Sequence, residues 1–159
     1  MSHIRLKCTV CSYIQVPDMT AITCRECSSP LNVEYIGVSR PVWSTEVSEF
    51  STILSPIHDF NHPSILLVNE TPFVELRSIA KHIGLDNIFG KLEYLTLTGS
   101  YKDRGMAVMV AVAREFGVKT LVEDSSGNAG ASLAAYAARA GIKAHIFVPT
   151  SAPAAKLRQ

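Results

Sequence analysis

From Phe89 onward, apolar and polar positions alternate between two spacings, one of a strand and one of a helix. Residues 92–97 are apolar enough to predict a strand. Residues 106–116 predict a helix ended by Gly117, and 120–123 a short strand. Residues 129–140 predict a second helix closed by Gly141, 143–148 a third strand, and 152–159 the start of another helix. Glycine just past each complete helix supplies the left-handed residue that lets the chain turn away. Strands alternating with helices of this length imply βαβ units on a parallel sheet, so the predicted fold class is α/β. The last helical pattern has no stop signal, and a sheet of two or three strands is poorly covered. The chain therefore reads as part of a larger fold.

Ahead of Phe89 the pattern is different. Residues 13–16 and 33–36 predict two short strands, whereas 37–71 show no sustained period. That stretch holds Pro41, Pro56 and Pro63 among many Ser and Thr, which predicts an extended connector. His58 and His62 are four apart, the spacing of a shared helix face. Asn61 and Pro63 oppose a helix there, so solvated loop histidines are expected instead. The predicted organisation is a small unit over 1–36, a connector and start of the main fold over 37–88, and an α/β portion over 89–159.

Charge narrows the function classes. Fifteen Lys and Arg against fourteen Asp and Glu leave a net charge of +1, which removes the electrostatic reason to expect nucleic acid. With 47% hydrophobic and 18% charged residues, the composition is that of a packed protein and not of a disordered tail. The longest apolar run, 106–113, is too short to cross a bilayer, and no apolar signal core follows the N-terminus. A soluble, cytoplasmic protein is expected.

All four cysteines lie near the start, as Cys8-x2-Cys11 and Cys24-x2-Cys27 with twelve residues between the pairs. Nothing suggests secretion, so a disulfide framework is not expected. Two such pairs instead suit all-sulfur tetrahedral Zn2+. With every coordination position filled by protein, the metal would be structural. A zinc ribbon is predicted, because so short a segment buries too little surface to hold together otherwise. Four reduced thiols without metal are the alternative.

Two loops offer further chemistry. Ser100 and Asp103 have the spacing of a capping box, which starts a helix near Tyr101 and puts Lys102 in its first turn. A cation is poorly placed beside the positive helix end, which favours an amine nucleophile or base. The alternative is a surface lysine. Asp103 suits the helix dipole and by itself calls for no functional role. Gly99 and Gly105 leave room for a ligand or other backbone to approach. The second loop, 123–130, joins a strand to a helix start. There Ser125, Ser126, Asn128 and backbone N–H groups suit a carboxylate or phosphate, with Gly127 expected to permit a tight turn. An ordinary Ser/Gly/Asn turn capping the helix is the alternative. Neither loop has the spacing of the common nucleotide motifs.

Together the two loops are more specific. Leu97-Thr98-Gly99-Ser100-Tyr101-Lys102-Asp103-Arg104-Gly105-Met106 resembles the cofactor-lysine motif of threonine synthases, usually written P-T-G-S-F-K-D-R-G-M. Ser125-Ser126-Gly127-Asn128-Ala129-Gly130 and the helix after it resemble the same family's S-S/T-G-N segment. Thr71-Pro72, Lys91-Leu92-Glu93 and Lys156-Leu157-Arg158-Gln159 fall in the family's order. Leu97 and Tyr101 depart from the usual proline and phenylalanine and leave Lys102 in register. Some members also carry a four-cysteine ribbon in front.

The resemblance implies a pyridoxal 5'-phosphate enzyme of the tryptophan-synthase-β-like class, converting O-phospho-L-homoserine and water to L-threonine and phosphate. It implies that Lys102 binds the cofactor covalently and later moves protons, and that Asn128 contacts the pyridoxal 3'-oxygen. Ser125, Ser126, Gly127 and Ala129 would bind the substrate carboxylate. The family's phosphate loop and the residue facing the pyridine nitrogen would lie beyond Gln159, so residues 1–159 alone are expected to bind the cofactor weakly and be inactive. The expected partner is a small-molecule amino-acid substrate, with no nucleic acid and no membrane, and a homo-oligomer at full length is allowed. The alternatives are cysteate synthase or another lyase or dehydratase of the same fold, and, from a different class, a non-catalytic zinc-ribbon binding protein.

Overall fold

The computed structural model describes residues 4–18, 20–37 and 71–159. Residues 38–70 of the connector expected from residue 37 on, with Pro41, Pro56, Pro63, His58 and His62, lie outside the described residues.

The N-terminal segment is a three-stranded antiparallel sheet of β1 (Ile4–Cys8), β2 (Ile14–Gln15) and β3 (Leu31–Tyr35), with β1 in the middle. β2 and β3 overlap the strands expected over 13–16 and 33–36. β1 was not anticipated, although Ile4, Leu6 and Cys8 alternate with Arg5 and Lys7 as a half-buried strand should. Its register sets Arg5 opposite Glu34. The Arg5 guanidinium donates to the Glu34 carboxylate, with the Lys7 amine 3.7 Å away, and holds that carboxyl below its ordinary range.

After the undescribed stretch, β4 (Phe73–Glu75) and β5 (Phe89–Lys91) pair antiparallel around a short helix, α1 (Arg77–Ile83). Phe73 and Phe89 stack across the pair with ring centroids 5.1 Å apart. Residues 92–97 do not form the strand their apolar content predicts. Glu93–Leu95 instead make one 3-10 turn, closed by the Leu95 N–H on the Leu92 carbonyl. Local bonds satisfy the backbone here: the buried Thr96 hydroxyl accepts the Ser100 N–H at 2.9 Å, and the Gly99 N–H donates to the Thr96 carbonyl.

The turn also aims Glu93 at Arg104. The guanidinium makes two parallel bonds to the carboxylate, at 2.6 and 2.7 Å, and the Thr71 hydroxyl donates to the same carboxylate at 2.7 Å. Hydrogen bonds from Arg104 first, then Thr71, lower the Glu93 carboxyl to about 2. A carboxyl depressed on folding contributes stability above its unfolded pKa and loses it as pH falls through the folded value. Glu93→Gln is therefore expected to lower stability at neutral pH and to flatten its fall between about pH 4.5 and pH 2. Urea midpoints of both proteins across that window check this. An unchanged acid limb would show that the pair contributes nothing.

The remaining chain is βα-alternating: α2 (Lys102–Glu115), β6 (Thr120–Asp124), α3 (Asn128–Ala140), β7 (Lys143–Phe147) and a short α4 (Ala154–Arg158). β6 and β7 pair in parallel, as a βαβ unit requires. Gly117 and Gly141 take the left-handed conformation just past α2 and α3, at φ 72° and 68°. The core forms where the two helices meet. α2 contributes Ala107, Val110 and Ala113; α3 contributes Leu133, Tyr136, Ala137 and Ala140 at helical spacing. Alanines at the contact let the helices approach closely, while Leu121, Ala144 and Ile146 of the sheet pack beneath. On the other sheet face Val122 and Phe147 are exposed. Among the described residues no helix is long and apolar enough to cross a membrane.

Candidate active site and candidate metal centre

Lys102 is the first residue of α2, half-buried, with its amine 4.9 Å from the centroid of the Tyr101 ring. The loop before it turns at Gly99, whose φ of 78° is left-handed. The Lys102 N–H donates to the Ser100 hydroxyl at 3.3 Å. The capping box expected of Ser100 and Asp103 does not form. The Asp103 carboxylate instead accepts the Thr98 N–H at 2.7 Å and the Thr98 hydroxyl at 2.5 Å. Asp103 is fully buried, not an exposed acid beside a helix dipole.

The second loop stands at the carboxyl ends of the parallel strands, where open α/β sheets place their ligands. A cleft of about 520 Å3 lies there, lined by Asp124, Ser125, Ser126, Phe147, Val148 and Pro149. The Ser125 N–H is tied to the Phe147 carbonyl at 3.1 Å, and the Ser125 hydroxyl accepts the Gly127 N–H at 3.3 Å. Gly127 caps α3 with φ −132°, so the turn itself does not demand glycine, contrary to expectation. A side-chain carbon there would meet nothing within 4 Å, which leaves an open approach to the helix start. Gly130 is the constrained glycine: an added carbon would sit 2.6 Å from the Ser125 carbonyl oxygen and 2.8 Å from Ile146 Cγ2. Asn128 begins α3 and is exposed, its Oδ1 accepting from Gln159 Nε2 at 3.0 Å. Ala129 follows in the first turn, whose N–H groups have no partner within the helix.

A buried bond joins the first loop's Asp103 to the helix that follows the second loop. The Ser132 hydroxyl, on α3, donates to Asp103 at 2.6 Å, and both residues are fully buried. It sets the first turn of α2, with Lys102, beside the first turns of α3, with the Ser125–Asn128 turn. A model of the pyridoxal-phosphate dependent enzyme family matches residues 65–159, more than half of the chain. The chain belongs to this family.

Among curated relatives of this pyridoxal-phosphate dependent enzyme, threonine synthase of Synechocystis sp. is 42% identical over 95 residues, covering 59% of this chain and 25% of that protein. Threonine synthase of Methanosarcina acetivorans is 34% identical over 151 residues, covering 91% of this chain and 36% of that protein, so the match reaches into the cysteine-bearing segment. A solved structure, a pyridoxal 5'-phosphate-dependent aspartate racemase, superposes with a TM-score of 0.55 at 29% identity, over 74% of this chain and 36% of that one. The chain thus spans about a quarter to a third of the length of the relatives it matches. The chemistry of the donors fits the family's cofactor: the chain offers a helix-terminal amine at Lys102 and, at the start of α3, hydroxyls, an amide and helix-end N–H groups.

In the N-terminal sheet the sulfurs of Cys8, Cys11, Cys24 and Cys27 all lie within 4.8 Å of one another. Cys8–Cys27 and Cys11–Cys27 are 3.4 Å apart and Cys11–Cys24 3.6 Å, and none forms a disulfide. Tetrahedral zinc with Zn–S of about 2.3 Å needs sulfurs roughly 3.8 Å apart, so the set fits with little movement. The N–H groups of Cys11 and Val10 donate to Cys8 and lower its thiol, and the Ser29 hydroxyl and N–H lower Cys27 to about 6. At Cys11 the Tyr13 N–H pulls down, but the neighbouring sulfurs and burial outweigh it and push the thiol up to about 12. Four sulfurs this close do not all ionise together without a cation among them.

Sequence reasoning gave no role to Ser132, Gly130 or the Glu93–Arg104–Thr71 group, and did not anticipate that Asp103 is buried. A buried serine in the helix stripe of Leu133, Tyr136 and Ala137 was the available signal for Ser132, since a hydroxyl in such a stripe requires a partner.

Proposed function

We propose that, within a whole protein of its relatives' length, this chain serves a pyridoxal-phosphate dependent threonine synthase acting on O-phospho-L-homoserine and water. The observation that carries the reading is the buried Asp103–Ser132 bond, which ties the lysine's helix to the helix that follows the Ser-Ser-Gly-Asn turn. The 34–42% identity to threonine synthases supports the choice within the family. When bound, the cofactor supplies an electron sink for the amino-acid skeleton. Lys102 contributes the amine that holds it and carries a proton to and from the substrate carbons. With Oδ1 engaged by Gln159, Asn128 offers its Nδ2 donors to the cofactor oxygen. The Ser125 and Ser126 hydroxyls and the Gly127 and Ala129 N–H groups bind the substrate carboxylate beside the positive end of α3. In the same reading Cys8, Cys11, Cys24 and Cys27 hold one structural zinc.

Two assays on the whole protein test this. Threonine and phosphate released from phosphohomoserine are the expected products. Cysteate formed from phosphoserine and sulfite, with no threonine from phosphohomoserine, would assign a sister activity instead. Borohydride trapping of the protein incubated with pyridoxal phosphate, followed by peptide mapping, is expected to label Lys102. Efficient labelling of another lysine would refute the site.

A further inference from the structure

Asp103 is the one Asp, Glu, Lys or Arg among the described residues that is buried. It is fully exposed to no solvent, at 0%, yet it carries a carboxylate. Burial pushes its carboxyl up, and the Ser132 and Thr98 hydrogen bonds outweigh that and leave it below the ordinary range. An acid needed only to complement a helix dipole does this from the surface. Burying it requires donors in fixed places, and here they come from two segments. Thr98 belongs to the loop in front of Lys102; Ser132 belongs to α3.

The connection continues beyond Ser132. Two residues earlier, Gly130 leaves no room for a side chain against the Ser125 carbonyl and Ile146, so α3 and the turn are closely packed there. Lys102 is therefore linked to the turn through its chain neighbour Asp103, the Asp103–Ser132 bond, and the close approach of α3 to Ser125 at Gly130. On its other side α2 is held by Arg104 on Glu93, so the lysine's helix start is fixed from both flanks. Fully buried Tyr136, also on α3, has no hydrogen-bond partner for its hydroxyl, and burial followed by the Asp103 charge pushes it up to about 12. It stays neutral and adds no second negative charge near Asp103.

We infer that Asp103 is a positioning residue, which, through Thr98 and Ser132, fixes the separation between Lys102 and the Ser125–Asn128 turn. The inference rests on the reading of those two elements as opposite sides of one site. Misplacing reacting groups by about 1 Å costs up to roughly a hundredfold in rate, so loosening this tie acts on turnover before it acts on cofactor retention.

The test compares Ser132→Ala, Asp103→Asn and Asp103→Ala in the whole protein. Melting temperature, borohydride labelling at Lys102, and kcat and KM for phosphohomoserine are measured for each. Ser132→Ala removes one hydroxyl and leaves the Thr98 bonds. It is expected to stay folded and to label at Lys102 as the parent does, with kcat down about tenfold and KM changed much less. Asp103→Asn keeps the same contacts: its oxygen faces the Thr98 N–H and its amide donates to the two hydroxyls. It is expected to retain most of the kcat that Asp103→Ala loses. If Ser132→Ala turns over within twofold of the parent, the inference is overturned, whether or not Asp103→Ala folds. It is equally overturned if Asp103→Asn loses as much kcat as Asp103→Ala while remaining folded. A parent protein that does not label at Lys102 refutes the underlying site reading instead, an outcome visible before any variant is made.

Discussion

Cys24→Ser is expected to abolish metal binding by the N-terminal sheet and to unfold it. Without metal, the described segment from Ile4 to Tyr35 has only Ile4, Cys8, Gln15 and Cys24 buried, two of them proposed ligands. Large apolar side chains such as Val10, Val16 and Ile22 are exposed at 72%, 81% and 86%, so hydrophobic burial contributes little. Structural zinc in small domains supplies on the order of 10–16 kcal/mol of apparent binding free energy, far more than this core offers. The expected parent protein carries one zinc per chain by elemental analysis. A strong chelator, or Cys24→Ser, should release it and abolish amide-exchange protection in β1 and β3. Protection that persists after the metal is gone would mean that the sheet stands on its own packing.

The second large effect is at Gly130. Gly130→Ala places a carbon 2.6 Å from a backbone oxygen, that of Ser125, which cannot retreat without moving the turn, and 2.8 Å from Ile146 Cγ2. Overpacking of this kind costs about 1–3 kcal/mol, and here the displaced group is the proposed substrate-binding turn itself. A lower urea midpoint and a raised KM for the amino-acid substrate are expected together. Gly127→Ala is the control, since its new methyl meets nothing within 4 Å. It should leave stability within about 0.5 kcal/mol and affect substrate binding alone. Equal stability of the two variants would show that α3 shifts freely against the sheet, and the close packing at Gly130 would not couple Ser132 to Ser125.

Much of the fold was legible because it is local. The two Cys-x2-Cys pairs each curl onto one side of a point, and the structure brings their four sulfurs together. Gly117 and Gly141 end their helices as their positions predict, because only a residue without a Cβ turns there cheaply. The βα alternation of 106–148 carries its own parallel pairing, since the intervening helix returns the chain to the same sheet end. The error at 92–97 has a physical cause. Apolar content alone does not distinguish a strand from a turn whose backbone is satisfied locally and whose acidic residue is claimed by an arginine eleven positions on.

The amino-acid sequence by itself determined the βα alternation of 106–148, the pairing of the four thiols, and which lysine heads a helix. The alternation, the helix start and each Cys-x2-Cys turn depend on neighbours within a few residues, and so on backbone sterics and side-chain period. Only the tertiary structure decided what Asp103 does. Its hydrogen-bond partner Ser132 lies 29 positions away, and the two meet because alanine-lined faces let α2 and α3 pack closely. A buried polar group must find a partner, but periodicity marks only that a position is buried, and never which distant donor will face it.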